Sequence, residues 1–412
     1  MKKNRVKAAL ERLEDCTRRI DTWITRADRM QDETPQSRLK LKFSASLRTI
    51  QENATKVHQA ISRNWCNDNL VHVAHLRLEQ RLVRLKKRKR PLQAASSDLV
   101  AQATCFGLSL RGDCNASSQW LNSEIRIIGL PSSAGTVRVT ISVPEDDNNP
   151  ANSQHVTSLC KVIRQPPRPY VVFCLDDMGC LKSLPSLKEA AEYVQQSLSL
   201  EALLPHFEAK LPITEVYGLA ITLIASILQL NHTPWLETKW SKRNIVFARA
   251  NSNLPLTVDL RYPSLVKEFY RGALHQISTP ESLQLIQKSG AGLQEPDGTP
   301  VNRTCSNLLA LAIMLLEISS GRPVEQRLGE DQITNISPND QLGLQLAGEW
   351  LKEENSHGRL SCAFSQAILT CLQEYLNPDA NFDDEQFCNA FKEKALLPLE
   401  EEMEFLLFGP PR

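Results

Sequence analysis

The sequence predicts an α+β protein that is predominantly α, with an N-terminal helical hairpin or bundle followed by a domain of two lobes. Three observations lead to this prediction: a helical apolar period in residues 1–91, short β-rich segments in 92–177, and an almost entirely helical pattern in 178–412. A chain of 412 residues is long enough for two or three domains of ordinary size. We therefore place domain boundaries after residues 91 and 177.

The N-terminal arm, residues 1–91, has apolar residues spaced alternately by three and four positions, which places them on one face of each helix. One such seam covers 6–24, a second covers 43–61 and a third covers 71–85. Helices joined by short turns pack side by side as a bundle. The arm is therefore predicted to be a helical bundle or coiled coil, formed either within one chain or between chains.

The rest of the chain divides into a small β-rich lobe and a larger helical lobe. Segments rich in β-branched and aromatic residues predict strands at 104–110, 124–128, 137–143 and 170–175, with one helix over 153–164. Turn-forming clusters separate these segments. After residue 185 the helical period predicts helices at 211–230, 303–320, 340–353, 360–374 and 384–407.

Composition and charge limit the classes of protein to consider. The chain is 42% hydrophobic, 23% charged and 6% aromatic, which is typical of a globular protein. Its net charge of +1 hides an uneven distribution, because residues 1–90 carry 23 Lys/Arg and only 10 Asp/Glu. The first 90 residues thus carry +13 and the remainder −12. Such an arm either docks on the acidic body or binds nucleic acid or an anionic membrane.

Several signals bear on the location of the protein. The longest apolar run, 219–230, is shorter than the roughly 20 residues that cross a bilayer, and the N-terminus lacks the apolar core of a secretory signal. Eleven cysteines without a Cys-x-x-Cys pair indicate reduced thiols. We therefore predict a cytoplasmic protein without a transmembrane span, with the nucleus as the alternative.

A basic run closes the arm directly before Pro91. It is either a nuclear-localisation or phosphate-binding segment, or the solvated end of the third predicted helix. Because no aromatic residue interrupts the run, nucleic-acid binding is not expected. The basic residues are Arg84, Lys86, Lys87, Arg88, Lys89 and Arg90.

Three potential metal ligands, Cys66, His72 and His75, lie close together in the sequence. Thiolate and imidazole are the ligands that Zn²⁺ prefers. However, no fourth ligand is visible in the sequence, and His75 falls on the apolar seam of the third predicted helix. We therefore assign these residues a structural role and predict no metal site.

The segment 306–323, with Glu317 and Gly321-Arg322-Pro323 near its end, resembles the central buried helix of the large lobe of protein kinases. Residues 230–247 are similar to the kinase segment that passes through the catalytic loop into the following strand. The resemblance implies that residues 92–412 form a bilobal kinase-like domain.

The same resemblance implies that this domain is degenerate. Thr140 stands where kinases have the Lys that pairs with phosphates, and Lys239 stands where they have the catalytic Asp. Asn244 and Asp259 alone match nucleotide- or metal-binding positions, and no glycine-rich phosphate loop is present. We therefore predict a pseudokinase with no catalytic residue and no cofactor, with binding of Mg-ATP through Asn244 and Asp259 as the alternative.

Basic and aromatic residues surround the degenerate loop. Lys239, Lys242 and Arg243 are interpreted either as an anion site, for a phosphate or an acidic peptide, or as a solvated loop. Trp235 and Trp240 flank the loop and are predicted to fill the core.

Most of the chain resembles a fungal family of uncharacterised proteins that join a helical N-terminal region to a degenerate kinase-like domain and are related to HeLo and prion-inhibition proteins. The resemblance implies a non-catalytic interaction or scaffold protein in fungal signalling or self/non-self recognition. Its N-terminal helices would bind a protein partner or another copy of the chain. The alternative is a divergent phosphotransferase that binds nucleotide. The resemblance is carried by residues 65–66, 72, 75–79, 233–247, 306–323 and 395–401.

Overall fold

The fold is organised around a mixed sheet of nine strands. It is seen in a computed structural model that describes residues 40–66, 70–85, 104–112, 120–128, 154–165, 170–184, 193–209, 212–236, 240–250, 258–270, 306–327 and 341–409. In chain order the described strands are β1 (Lys40–Phe43), β2 (His72–Arg77), β3 (Leu82–Leu85), β4 (Cys105–Gly112), β5 (Leu121–Ile127), β6 (Gln154–His155), β7 (Tyr170–Leu175), β8 (Leu181–Leu184), β9 (Tyr193–Ser199), β10 (Ile245–Ala250) and β11 (Ser264–Phe269).

The spatial order of the large sheet is β6-β8-β7-β5-β4-β2-β11-β10-β9, and β1 pairs with β3 in a separate two-stranded sheet. Neighbouring strands of the large sheet are antiparallel, except that β5 and β7 run parallel. A parallel pair needs a crossover connection. Here the connection between β5 and β7 includes β6 and a short helix.

The described helices fall mainly in the second half of the chain. They are α1 (Leu47–Asn64), α2 (Leu159–Arg164), α3 (Leu200–Leu203), α4 (Ile213–Leu230), α5 (Ser306–Ser320), α6 (Gln341–Ser356), α7 (Cys362–Leu376), α8 (Glu385–Phe391) and α9 (Leu397–Phe408). Short 3₁₀ segments occur at Leu204–Ala209 and Val324–Gln326, and a π-helical segment at Lys392–Leu396 connects α8 with α9.

The chain divides into two compact units. The first unit comprises Met1–Leu41 and Arg84–Lys87, and its described residues belong to β1 and β3. The second unit comprises Lys42–Val83 and Arg88–Arg412. The nine described helices and the nine-stranded sheet therefore belong to the second unit.

Helices α4 and α5 form the centre of the helical layer. Residues 219–230 of α4 and 308–318 of α5 are buried throughout, as expected of helices that are apolar on all sides. Among the described residues, α4 alone has the length and hydropathy of a membrane-crossing helix, and 72% of that segment is buried inside the protein. Such burial is typical of a core helix.

The predicted arrangement, a helical bundle followed by a bilobal kinase-like domain, is wrong. The segment predicted as the third helix of the bundle forms strands β2 and β3. Moreover, β2 pairs with β4 on one side and with β11 on the other, so that one sheet joins segments assigned to the arm, the small lobe and the large lobe. The helix prediction failed because the apolar pattern of this segment also fits a strand. Ala74, Leu76 and Leu78 alternate with polar residues, as in a half-buried strand.

Several individual elements are confirmed. The predicted seam of the second helix forms the buried face of α1, and Ser46 caps this helix by accepting a hydrogen bond from the Thr49 amide at 3.1 Å. Strands β4, β5 and β7 and helices α4 to α9 also occur where they were predicted. The predicted helix over 153–164 is reduced to α2, which follows β6. The helix predicted over 6–24 and the strand predicted over 137–143 lie outside the described residues.

Candidate functional site

The two residues predicted to retain nucleotide or metal binding lie at opposite ends of β10. The carbonyl of Asn244, directly before β10, accepts a hydrogen bond from the Val266 amide. Val258, directly before Asp259, forms a bridge with Arg249 near the other end of the strand. Five residues of strand separate these ends by ~16 Å, whereas two oxygens bound to one Mg²⁺ lie within about 4 Å of each other. The structure therefore does not bring the two residues together.

Each of these two side chains is also held by a neighbour. Arg261 donates to both carboxylate oxygens of Asp259, from Nε and from an η-nitrogen, each at 2.8 Å. These bonds hold the pKa of Asp259 below its usual range. The Oδ1 atom of Asn244 accepts a hydrogen bond from Ser241 Oγ at 2.8 Å. Both contacts stabilise local turns.

The basic cluster predicted beside the loop is engaged with carboxylates. Lys242 is buried, and its Nζ donates to Glu317 Oε1 at 2.5 Å and to Glu325 Oε2 at 2.6 Å. Arg243 is exposed and contacts both carboxylate oxygens of Glu201. Lys239 lies outside the described residues, as does Thr140. Lys242 therefore joins the loop to the end of α5, and anion binding by this cluster stays a prediction.

The tryptophans that flank the loop are core residues, as predicted. Trp235 and Trp240 are 1% and 2% exposed. Trp235 Nε1 donates to the Ala54 carbonyl at 2.9 Å, which connects the segment after α4 to α1. Of the basic run before Pro91, Arg84 is part of β3, and residues 86–90 lie outside the described residues.

A cluster of two thiols and one imidazole lies where α1, β2 and α2 meet. The Sγ atom of Cys66 is 3.2 Å from His72 Nε2, and the Sγ atom of Cys160 is 3.7 Å from the same nitrogen. The three ligand atoms lie within 4.8 Å of one another. Cys66 follows the last turn of α1, His72 opens β2, and Cys160 is in the first turn of α2. The fold thus places Cys66 and His72, two of the three residues considered as metal ligands in the sequence, next to Cys160.

The cluster is enclosed by the protein. His72 is 1% exposed and Cys160 is 3% exposed, whereas Cys66 is half-buried. The ring of Trp65 packs against His72 with 4.6 Å between the ring centroids. The Nδ1 atom of His72 is buried without a hydrogen-bond partner among the described residues. At the other ring nitrogen, Nε2, the polar contacts are the two sulfur atoms of Cys66 and Cys160.

The third residue of the sequence motif, His75, is not part of the cluster. Residues three positions apart in a strand face opposite sides of the sheet, so β2 directs His72 and His75 away from each other. His75 packs on Trp120 with 4.1 Å between the ring centroids, and Arg111 lies 5.1 Å from the centre of the Trp120 ring. Cys160 could not be found from spacing, because it lies 88 residues after His72.

Two partly buried histidines make the stability of the fold depend on pH. Burial, with the charge of Arg111, lowers the pKa of His75 to about 3, and burial, with the charge of Lys267, lowers that of His58 to about 4. Between pH 6.5 and these values the unfolded chain binds protons that the folded chain does not. The free energy of unfolding therefore falls as the pH is lowered through this window.

We expect a loss of about 1 kcal/mol for each of these histidines between pH 7.5 and 5.5. Urea unfolding at both pH values measures this loss. A His75→Gln variant should lose correspondingly less stability over the same interval. An equal slope for wild type and His75→Gln would contradict the assignment.

Fold and site together define an α+β protein with a mixed sheet and a sulfur–imidazole cluster, in which the described residues do not assemble the charged groups of phosphoryl transfer. Residues 44–403 match the family described as "Domain of unknown function (DUF7580)". The chain belongs to this family. A search of curated proteins finds no match.

Proposed function

We propose that this chain is a non-catalytic interaction protein that associates with a protein partner and does not transfer phosphate. The observation that carries the proposal is the position of Asn244 at one end of β10 and of Asp259 beside Val258, which bridges Arg249 five strand residues, or ~16 Å, from Asn244. Phosphoryl transfer depends on charges that converge on one phosphate and its metal ion. Two potential ligands at opposite ends of a strand do not provide such convergence.

The charge distribution supports a second copy of the chain as the partner. Residues 1–90 carry +13 and residues 91–412 carry −12. Two copies can therefore place the basic segment of each against the acidic segment of the other, and complementary charge steers and orients such an encounter. Docking of the segment within one chain is the competing arrangement. A role in fungal signalling or self/non-self recognition, as implied by the sequence resemblance, stays a prediction.

The first test concerns nucleotide. We expect the melting temperature of the full chain to be the same with and without millimolar Mg-ATP, because Asn244 and Asp259 do not share a metal ion. A ligand at 100 times its Kd would add about 2.7 kcal/mol to stability. Asn244→Ala and Asp259→Asn serve as matched variants. A metal-dependent rise in melting temperature that both variants abolish would overturn the proposal in favour of a divergent phosphotransferase.

The second test concerns self-association. We expect the mass from light scattering to correspond to a dimer or larger species at ~0.1 M salt and to a monomer at ~1 M, where the Debye length falls from about 10 to about 3 Å. Lys86→Glu with Lys87→Glu should weaken association. The same charge change at the exposed Lys161 and Lys352 should not.

Two outcomes of this experiment are decisive. A monomeric mass at every salt concentration, with a hydrodynamic radius that increases with salt, would indicate docking within one chain and exclude the second copy as partner. A measured mass that corresponds to an oligomer and does not change with salt concentration would show that charge does not drive the association.

A further inference from the structure

We propose that Cys66, His72 and Cys160 form a binding site for a divalent metal ion of the zinc type. Two thiolates and one imidazole are a donor set that Zn²⁺ prefers. The inference is independent of the proposed interaction function, because it rests on a different part of the fold and on different side chains.

The distances fit shared coordination. With Zn–S near 2.3 Å and Zn–N near 2.0–2.1 Å, tetrahedral angles place a sulfur and a nitrogen ligand about 3.6 Å apart. The two measured separations from His72 Nε2, 3.2 Å to Cys66 Sγ and 3.7 Å to Cys160 Sγ, lie on either side of this value. The same geometry requires a distance of about 3.8 Å between the two sulfur atoms. This value is compatible with the structure, in which all three ligand atoms lie within 4.8 Å of one another. Small side-chain adjustments would therefore bring all three atoms into contact with one ion.

Hydrogen bonding explains the cluster less completely than a metal ion does. The Nε2 atom of a neutral imidazole has either one hydrogen or one lone pair, so it forms a good hydrogen bond with one sulfur at a time. Both sulfur atoms nevertheless approach this nitrogen, at 3.2 and 3.7 Å. A bound ion would engage both sulfur atoms and Nε2 together.

Charge and burial favour a divalent ion. Two thiolates carry a charge of −2, which a divalent ion neutralises, and a neutral assembly avoids the high cost of an uncompensated charge in the interior. Binding releases one proton from each thiol that is protonated beforehand, so one ion displaces up to two protons. Half-buried Cys66 gives the ion a route from solvent, since the other two ligands are buried.

The site has three ligands among the described residues, and a fourth position remains for water or for a ligand from elsewhere. The three residues come from the end of α1, the start of β2 and the start of α2. An ion at this position would connect α2 to the α1–β2 junction, about 90 residues earlier in the chain, so its binding should raise the stability of the fold.

Titration of the reduced, metal-free full chain with Co²⁺, under anaerobic conditions, tests the site directly. We expect saturation at one ion per chain, with thiolate-to-cobalt charge-transfer absorption and the visible bands of tetrahedral cobalt. Zn²⁺ should displace Co²⁺ and raise the melting temperature. Cys66→Ser, His72→Gln and Cys160→Ser should each weaken binding by at least about 100-fold, the upper end of what loss of a mere supporting residue costs.

Matched controls are available in β7 and in the turn before β8. Cys180 is partly exposed, like Cys66, and Cys174 is buried, like Cys160. Cys180→Ser and Cys174→Ser should leave the cobalt spectrum and affinity unchanged. If Cys160→Ser does not fold, Cys66→Ser decides the test, because a half-buried position tolerates this change better.

Three results would overturn the proposal: absence of the charge-transfer band at millimolar Co²⁺, a spectrum that survives Cys66→Ser, or equal effects of the control variants. A disulfide between Cys66 and Cys160 in protein exposed to hydrogen peroxide, combined with the absence of cobalt binding, would instead identify the cluster as a redox pair.

Discussion

Replacing Lys242 by methionine is expected to lower the free energy of unfolding by about 3–5 kcal/mol, because the change leaves a buried carboxylate without its counter-charge. The Glu317 side chain is 1% exposed, and Lys242 is its cationic partner at 2.5 Å. Glu317 also accepts the Val324 amide hydrogen bond at 2.9 Å, so it cannot move to solvent without disrupting the turn after α5. Urea unfolding with linear extrapolation measures the loss.

Two further variants separate the buried charge from the loss of side-chain volume. Adding Glu317→Gln to Lys242→Met removes the uncompensated charge and keeps an acceptor for Val324, so the double variant should recover much of the lost stability. Arg243→Met removes a neighbouring cation that is 76% exposed and should cost no more than about 1 kcal/mol. Equal losses for Lys242→Met and Arg243→Met would show that the buried pair has no special role.

Replacing Trp235 by alanine is expected to cost about 3–5 kcal/mol, the usual range for removing a large aromatic side chain from a core. Trp235 packs edge-on against His58 of α1 and against Phe269 of β11, with ring centroids 5.2 and 6.3 Å away. Its Nε1 donates to the Ala54 carbonyl. The cavity left by the substitution would therefore separate α1, β11 and the segment that follows α4.

Trp235→Phe tests the source of this effect, since it keeps most of the aromatic volume and loses the hydrogen bond, for an expected cost of about 1–3 kcal/mol. Phe408→Ala is the exposed control, because Phe408 is 75% exposed at the end of α9 and should contribute less than about 0.5 kcal/mol. Thermal and urea unfolding should rank the variants in the order Trp235→Ala, Trp235→Phe, Phe408→Ala. A loss below 1 kcal/mol for Trp235→Ala would contradict its place in the core.

Helices with a sustained apolar pattern were predictable from the sequence. Ile50, Ala54, Val57 and Ile61 are the buried face of α1, as their spacing indicates, and the apolar run of α4 is the central core helix. Strand β9 and the pairing of β2 with β11 were not predictable. A segment such as His72–Arg77 fits both a helical and an alternating period, and the choice depends on pairing with β4 and with β11, the latter almost 200 residues away.

The candidate site was predictable in part for a similar reason. Cys66 and His72 are close enough in sequence to be noticed together, but the same closeness in sequence included His75, which a strand directs to the opposite face. Cys160 joins the cluster because the connection from β5 to β7 brings α2 beside β2. The kinase resemblance implied that Asn244 and Asp259 serve one nucleotide or metal site, but the length of β10 keeps them apart.

The position of β2 inside the sheet has a consequence for synthesis of the protein on the ribosome. One neighbour, β4, follows after about 30 residues, but the other neighbour, β11, begins about 190 residues after β2. At roughly 5–20 residues per second, that delay is on the order of 10–40 s. During this time one hydrogen-bonding edge of β2 lacks the strand that covers it in the finished fold. An unpaired edge invites pairing with other chains, so a chaperone that binds the nascent chain is expected to increase the yield of this protein.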